Sequence, residues 1–153
     1  MATTYNAVNF FTGDGTTKVF SFSFPYLSKD HVKVTQAGTA LVQGTDFSIT
    51  DEQVTLTSAP ATSAVIKIYR ETPTSRVITW SDGNYLLASN LTTDQLQTLY
   101  ILQEQQDLAK LNNIADNGDG YFYAVNKQIK NVADPTADQD VVTKKYMETA
   151  SDG

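Results

Sequence analysis

A hydrolytic triad needs a histidine beside a nucleophile and a carboxylate, and this chain contains one histidine, His31, no cysteine and no motif serine placed to use it. His31 lies in an alternating run and reads as a strand surface residue. Two carboxylates flanking a cleft could share acid and base roles in glycoside hydrolysis. The neighbouring pairs Asp51 with Glu52 and Asp138 with Asp140 fall at turns and at a helix start, where capping accounts for them. Asp116-Asn117-Gly118-Asp119-Gly120 has the composition of a calcium loop, but it lacks alternating oxygen ligands before the glycine and a closing glutamate, so it reads as a turn. Phosphate-loop and metal-ligand spacings are absent, and nothing in the pattern asks for a reaction, a cofactor or a metal. Trp80 and Tyr85 remain. They could form a sugar-stacking platform or dock on another chain, or pin their connector to its own domain.

The bulk properties narrow the classes further. At 153 residues the chain suits one domain, or one domain with an appendage. Seventeen acidic against eleven basic residues, a formal charge of −6, argue against a nucleic-acid partner, because that binding rests on cations neutralising phosphates. Without cysteine there is neither a disulfide nor a thiolate metal site. No apolar run is long enough to span a membrane, and the first residues lack the basic and apolar regions of a signal peptide, so synthesis in the cytosol is expected.

The elements that would position these residues are strands first. From Tyr5 to Ile78 short alternating runs rich in Val, Ile, Phe and Thr are separated by turn residues, the spacing of an antiparallel sandwich or barrel. Phe20, Phe22 and Phe24 share one face of the run Lys18 to Phe24, with Ser21 and Ser23 on the other. Val32 and Val34, Phe47 and Ile49, and Val54 and Leu56 supply further inward pairs, and Asp51-Glu52 is a tight turn. Ala64 to Arg70 is apolar on both faces, which predicts a central or covered strand. Glu71 to Asn90 is a long connector.

Leu91 to Leu111 is the predicted helix, with Thr92 as N-cap, Gln95 closing a capping box, and Leu91 against Leu96 as a hydrophobic staple. Leu96, Leu99 and Tyr100 make one apolar stripe, and Ile101, Leu108 and Leu111 a second, with polar residues at Gln103 to Gln106 between them. Two offset stripes suggest two partners in succession; a single amphipathic face on one core is the plainer alternative. Beyond it, Tyr121 to Val132 predicts a hairpin turning at Asn126-Lys127, and a short helix begins at Asp138 or Asp140, with Asp140 set to pair with Lys144. Such a tail has too small a core to stand in water, and copies of the same chain are the simplest covering surface.

Two stretches carry a resemblance. Ile129-Lys130-Asn131-Val132-Ala133-Asp134-Pro135, followed by Asp140-Val141-Val142-Thr143-Lys144-Lys145-Tyr146, resembles a collar motif of phage tail fibres, with Val141 where the family usually has alanine. Upstream, Phe22-Ser23-Phe24-Pro25-Tyr26-Leu27, Thr45-Asp46-Phe47, Ile66 to Thr72, Trp80-Ser81-Asp82-Gly83 and the helix from Asn90 to Leu108 occur in an order similar to the N-terminal region of the tail fibre of T-seven-like (Autographiviridae) phages. The resemblance covers roughly residues 5 to 149.

It implies a structural virion protein, made in the bacterial host cytoplasm and placed at the fibre base. The implied fold is mainly β with helices: an N-terminal antiparallel β-sandwich as tail-attachment module (1–78), a connector (79–90), a trimerising helix (91–115), then a collar hairpin and short C-terminal helix leading to a stalk (116–153). Its implied partners are itself as homotrimer, the adaptor and nozzle ring proteins of the tail tube, and a distal receptor-binding protein; no membrane or nucleic acid is expected. Leu96, Leu99 and Tyr100 would pack on the chain's own head, and Ile101, Leu108, Leu111, Ile129, Val132, Val142 and Tyr146 would meet across the trimer, with the handover at Gln103 to Gln106. The family's coiled coil and host-binding tip would lie beyond Gly153, so the expectation is either a short anchor for a separate receptor-binding protein or the base of a longer fibre. From another class, a glycan-binding sandwich using Trp80 and Tyr85 is the competing expectation.

Overall fold

The computed structural model describes residues 4–83, 85–112, 115–116, 119, 121–124 and 128–151. These form mainly antiparallel β structure with two α-helices, and the chain divides into two compact units, residues 1–112 and 113–153.

In the first unit two sheets face one another. One has the order β1 (Val8–Thr12), β7 (Val65–Arg70), β3 (Val32–Gln36), β4 (Thr39–Ala40); the other is β2 (Val19–Ser21), β6 (Gln53–Leu56), β5 (Phe47–Thr50). The predicted alternation sets the core: Phe20, Phe22, Phe24, Val32, Val34, Phe47, Ile49, Val54, Leu56, Ile66 and Ile68 are all buried. Phe22 and Phe24 lie beyond the β2 ladder yet keep its period, because the Phe22 N–H still donates to the Glu52 carbonyl at 2.9 Å. Strand β7 is central, with Ile68 opposite Asn9 on one side and Val34 on the other. Asp51-Glu52 does turn the chain between β5 and β6, Thr50 pairing with Gln53, and Asp51 takes the left-handed region at φ 50° that such a turn requires. Gly13 is needed for close approach: a Cβ there would lie 2.3 Å from the Ala61 carbonyl oxygen.

His31 closes a single 3-10 turn, Lys29–His31, ahead of β3 rather than lying in the strand, because the Ser28 hydroxyl accepts from the Asp30 N–H and starts that turn. Helix α1 spans Ala88–Asn112 and so begins before the expected Thr92 cap. The Leu87 carbonyl already accepts from Asn90 and Leu91, and the Thr92 hydroxyl bonds back to Ala88 O at 2.9 Å as an interior residue.

In the second unit β8 (Ala115–Asp116) pairs antiparallel with β9 (Phe122–Tyr123), so the hairpin partner lies upstream of Tyr121 and not at Ile129 to Val132. Among the described residues 128–132 there is no strand, and Asn131 at φ 59° breaks the extended run. The expected turn at Asn126-Lys127 lies outside the described residues. Asp119 accepts from the Tyr123 hydroxyl, which chiefly holds its carboxyl below the usual range and pushes the Tyr123 phenol up, and from the Tyr121 N–H, which lowers the carboxyl further. Helix α2 is Lys144–Ser151, started by the Thr143 hydroxyl, which accepts from the Tyr146 N–H at 3.2 Å. Asp140, expected to begin that helix, closes a turn instead by accepting from the Thr136 and Ala137 N–H groups, and Lys144 pairs with Glu148.

Candidate functional site

The inward stripe of β7 ends in a charge. Ile66 and Ile68 are followed at the same parity by Arg70, which is 2% exposed at the end of β7. A buried guanidinium is costly unless its donors are used, and helix α1 takes those of Nε and Nη2. Arg70 Nε donates to Glu104 Oε1 at 2.8 Å and Nη2 to Gln103 Oε1 at 2.8 Å, while Nη1 donates to the Pro25 carbonyl at 2.5 Å. The guanidinium also stacks on the Tyr100 ring, 3.7 Å from its centroid, and lies 6.0 Å from that of Phe24. Glu104 completes its shell on Thr72, accepting from the N–H at 3.0 Å and the hydroxyl at 2.6 Å.

One turn further along α1, Asp107 is 1% exposed. Its Oδ1 accepts from the Asn6 N–H at 2.8 Å and its Oδ2 from the Ala7 N–H at 2.7 Å, so a helix side chain caps the backbone that leads into β1. One turn before Tyr100, Gln97 is also buried and ties down the connector, donating to Pro73 and Ser75 carbonyls and accepting from the Val77 N–H. Gln97, Tyr100, Glu104 and Asp107 recur at the three- and four-residue spacing of one helical face. Helix α1 thus docks through a polar face, and its buried residues are Gln97, Tyr100 and Asp107.

The expected residues distribute around this clasp. Tyr100 is buried within it and Leu96 is half-buried, whereas Leu99 is 47% exposed. Within Gln103 to Gln106, the stretch expected to mark a handover away from the β module, Gln103, Glu104 and Gln106 instead bond to Arg70, Thr72 and Asn6, because this stretch carries the partners of the buried arginine. Ile101, Leu108 and Leu111 flank the same face and line a cavity of ≈230 Å³ against Val8 and Tyr69. Burial within this cleft pushes the Tyr69 phenol up, with Glu71 adding to it. Trp80 is half-buried, Tyr85 is 91% exposed, and no ring contact joins them. In the second unit Ile129, Val142 and Tyr146 are 62%, 48% and 42% exposed, and Val132 is half-buried.

Sequence reasoning missed Arg70, Glu104, Asp107 and Gln97 as a group. The available signal was an arginine in phase with Ile66 and Ile68, and a polar set at helical spacing. His31 does no comparable work: its Nδ1 is buried without a hydrogen-bond partner, and burial pushes its pKa down against the pull of Asp30 and Glu104. Among the described residues no acidic or histidine group is arranged as metal ligands, and no helix is long and apolar enough to cross a membrane.

Comparison with known proteins places this arrangement. Residues 1–124 match the family of the phage T7 tail fibre protein, N-terminal domain. The tail fiber protein of Escherichia phage T7 is 32% identical over 157 aligned residues, which cover 97% of this chain and 28% of that protein. That of Enterobacteria phage T3 is 31% identical with the same coverage. A capsule KN4-specific depolymerase of Klebsiella phage KN4-1 is 31% identical over 135 residues, covering 84% of this chain and 16% of that protein. The chain therefore spans less than a third of the length of these relatives. With two sheets, a docked helix and a match that runs through both, the chain belongs to the family of the phage T7 tail fibre protein N-terminal domain and is a structural protein of the bacteriophage tail.

Proposed function

We propose that this chain is a homotrimeric anchor that fixes a fibre, or a separate receptor-binding protein, to the phage tail for host adsorption. The observation that carries the reading is the family match over residues 1–124, which is confined to the N-terminal domain of much longer fibre proteins. A stretch shared between fibre proteins and a capsule depolymerase, which covers 28% of the T7 protein and 16% of the depolymerase, suits a common attachment role. The β module (1–78) would meet the adaptor and nozzle rings of the tail tube, the connector (79–90) and helix (91–115) would lead to the threefold axis, and residues 116–153 would form the collar toward a stalk. Support for self-association comes from the second unit, whose Ile129, Val142, Tyr146 and Met147 leave apolar surface that a small unit cannot cover alone.

Sedimentation of the chain should give three times its 16.8 kDa mass. A monodisperse monomer at micromolar concentration would rule the trimeric anchor out. A virion reconstruction should place three copies of the β module against the tail rings, and its absence from the tail would refute attachment.

A further inference from the structure

We infer that three copies of helix α1 meet along a stripe on the side opposite the clasp, formed by Leu91, Gln95, Thr98, Leu102, Gln105 and Ala109. The inference rests on the trimeric reading above and names the surface that makes the trimer. These residues are separated alternately by four and three positions, the 3.5-residue period that keeps one seam of a helix facing another helix. All six are exposed, Leu91 at 39% and Leu102 at 58%, on a helix whose buried residues lie on the other side. Ala88 and Asn112 continue the same period to the two ends of α1. The stripe thus runs the full length of the helix.

Charge points to a second copy of this chain as the occupant. The charged side chains of α1 are Asp94, Glu104, Asp107 and Lys110, and none falls on the stripe. Glu104 and Asp107 are in the clasp, and Lys110 donates to the Thr4 carbonyl. In a chain of net charge −6, an uncharged seam is the surface at which like copies can meet without repulsion. Gln95, Thr98 and Gln105 each carry donor and acceptor together, so around a threefold axis each layer can bond itself while Leu91, Leu102 and Ala109 pack between them. Polar layers of this kind fix register at some cost in stability.

The frame through Ile101 and Leu108 is closed to the same use. Its intervening seam positions are Asp94, Gln97 and Glu104, and two of these are held under the chain's own β module by Pro73, Ser75, Arg70 and Thr72. A second helix cannot reach them while the clasp is shut.

Because the chain contains no cysteine, single-cysteine variants report position cleanly. In the full chain, Leu102→Cys treated with a short bismaleimide should convert chains to covalent dimers up to a ceiling of about two thirds, since a cysteine on a threefold axis finds one partner and leaves a third chain over. Leu108→Cys should stay largely monomeric on the same denaturing gel, while both variants sediment as trimers before treatment. Cross-linking of Leu108→Cys without Leu102→Cys, or of both alike, in a chain that sediments as a trimer would overturn the stripe and leave the trimer standing. Conversion of Leu102→Cys well beyond two thirds would replace the threefold axis with a pairwise contact and overturn the inference. A monomer before treatment would remove the trimeric reading itself.

Discussion

The space between the two sheets and the seam beneath α1 both bury side chains, and they are built from opposite materials. Between the sheets Val32, Val54, Ile66 and Ile68 are fully buried and non-directional. Under the helix, Arg70, Glu104, Gln97 and Asp107 are aimed group by group at named partners. Apolar packing tolerates a change of shape for the cost of a small void, whereas a polar seam leaves the surviving partner buried and unpaired when one member is lost. The seam should therefore be the more brittle of the two, atom for atom. The same difference has a geometric consequence: an oriented, directional joint fixes the angle at which the helix leaves the two sheets.

The sharpest way to break this comparison is Arg70→Ala. It strands Glu104, whose side chain is 12% exposed, and should cost about 3–5 kcal/mol, read as a lowered urea midpoint. The paired variant Arg70→Met with Glu104→Leu should recover much of that loss, because neither charge is then left alone. If the double variant is as unstable as the sum of the singles, the two residues are not coupled and the seam is not a joint.

Next comes Asp107, where chemistry and volume can be separated. Asp107→Ala orphans the Ala7 N–H, which is buried, and should cost about 1–3 kcal/mol. Asp107→Asn should do nearly as much harm, because Oδ1 and Oδ2 both accept and an amide offers only one acceptor. An Asn variant as stable as the parent would show that the helix is held by shape rather than by the carboxylate.

These residues also mark where the sequence was readable. Alternation exposed the sandwich core because burial of Phe20, Phe22 and Phe24, or of Ile66 and Ile68, writes a period of two in apolar type. The helix was equally plain as an element, since no glycine or proline interrupts it. Its orientation was not, because apolar periodicity seeks the buried face and here that face is Gln97, Glu104 and Asp107, while Leu99 and Leu102 point outward. Short-range caps misled in a related way. Thr92 and Asp140 can each begin a helix, but the Leu87 carbonyl opens α1 and the Thr143 hydroxyl opens α2, while Asp140 is taken up by the turn at Thr136. The β9 partner was lost because two-residue ladders leave almost no pattern to read.

A conservative change in the apolar region gives the lower bound of the comparison. Ile68→Val removes one methylene from a site with no exposure and should cost about 0.5–1.5 kcal/mol, well below Arg70→Ala and no more than the lower part of the Asp107→Ala range. A loss as large as that of Arg70→Ala would mean that the core, not the seam, is the rigid part.

The smallest effect is expected at a polar site outside both regions, the turn between β1 and β2. Asp14 Oδ1 accepts from the Thr16 and Thr17 N–H groups at 2.8 and 2.7 Å, and Oδ2 accepts from the Thr17 hydroxyl. The Thr17 hydroxyl first, then the backbone of Thr17 and Thr16, hold the carboxyl well below the usual carboxylate range. A depressed folded pKa means that the unfolded chain takes up the proton first, so the stabilisation is fully present above the ordinary Asp value and lost as pH falls through the folded one. Acid titration curves of the parent and of Asp14→Asn should therefore begin to converge below about pH 4. Since the group is exposed, the gap between the two curves at neutral pH should be small beside those of Arg70 and Asp107. A gap at neutral pH as wide as theirs would show that directed hydrogen bonds matter here wherever they occur, and burial would no longer be what makes the seam brittle.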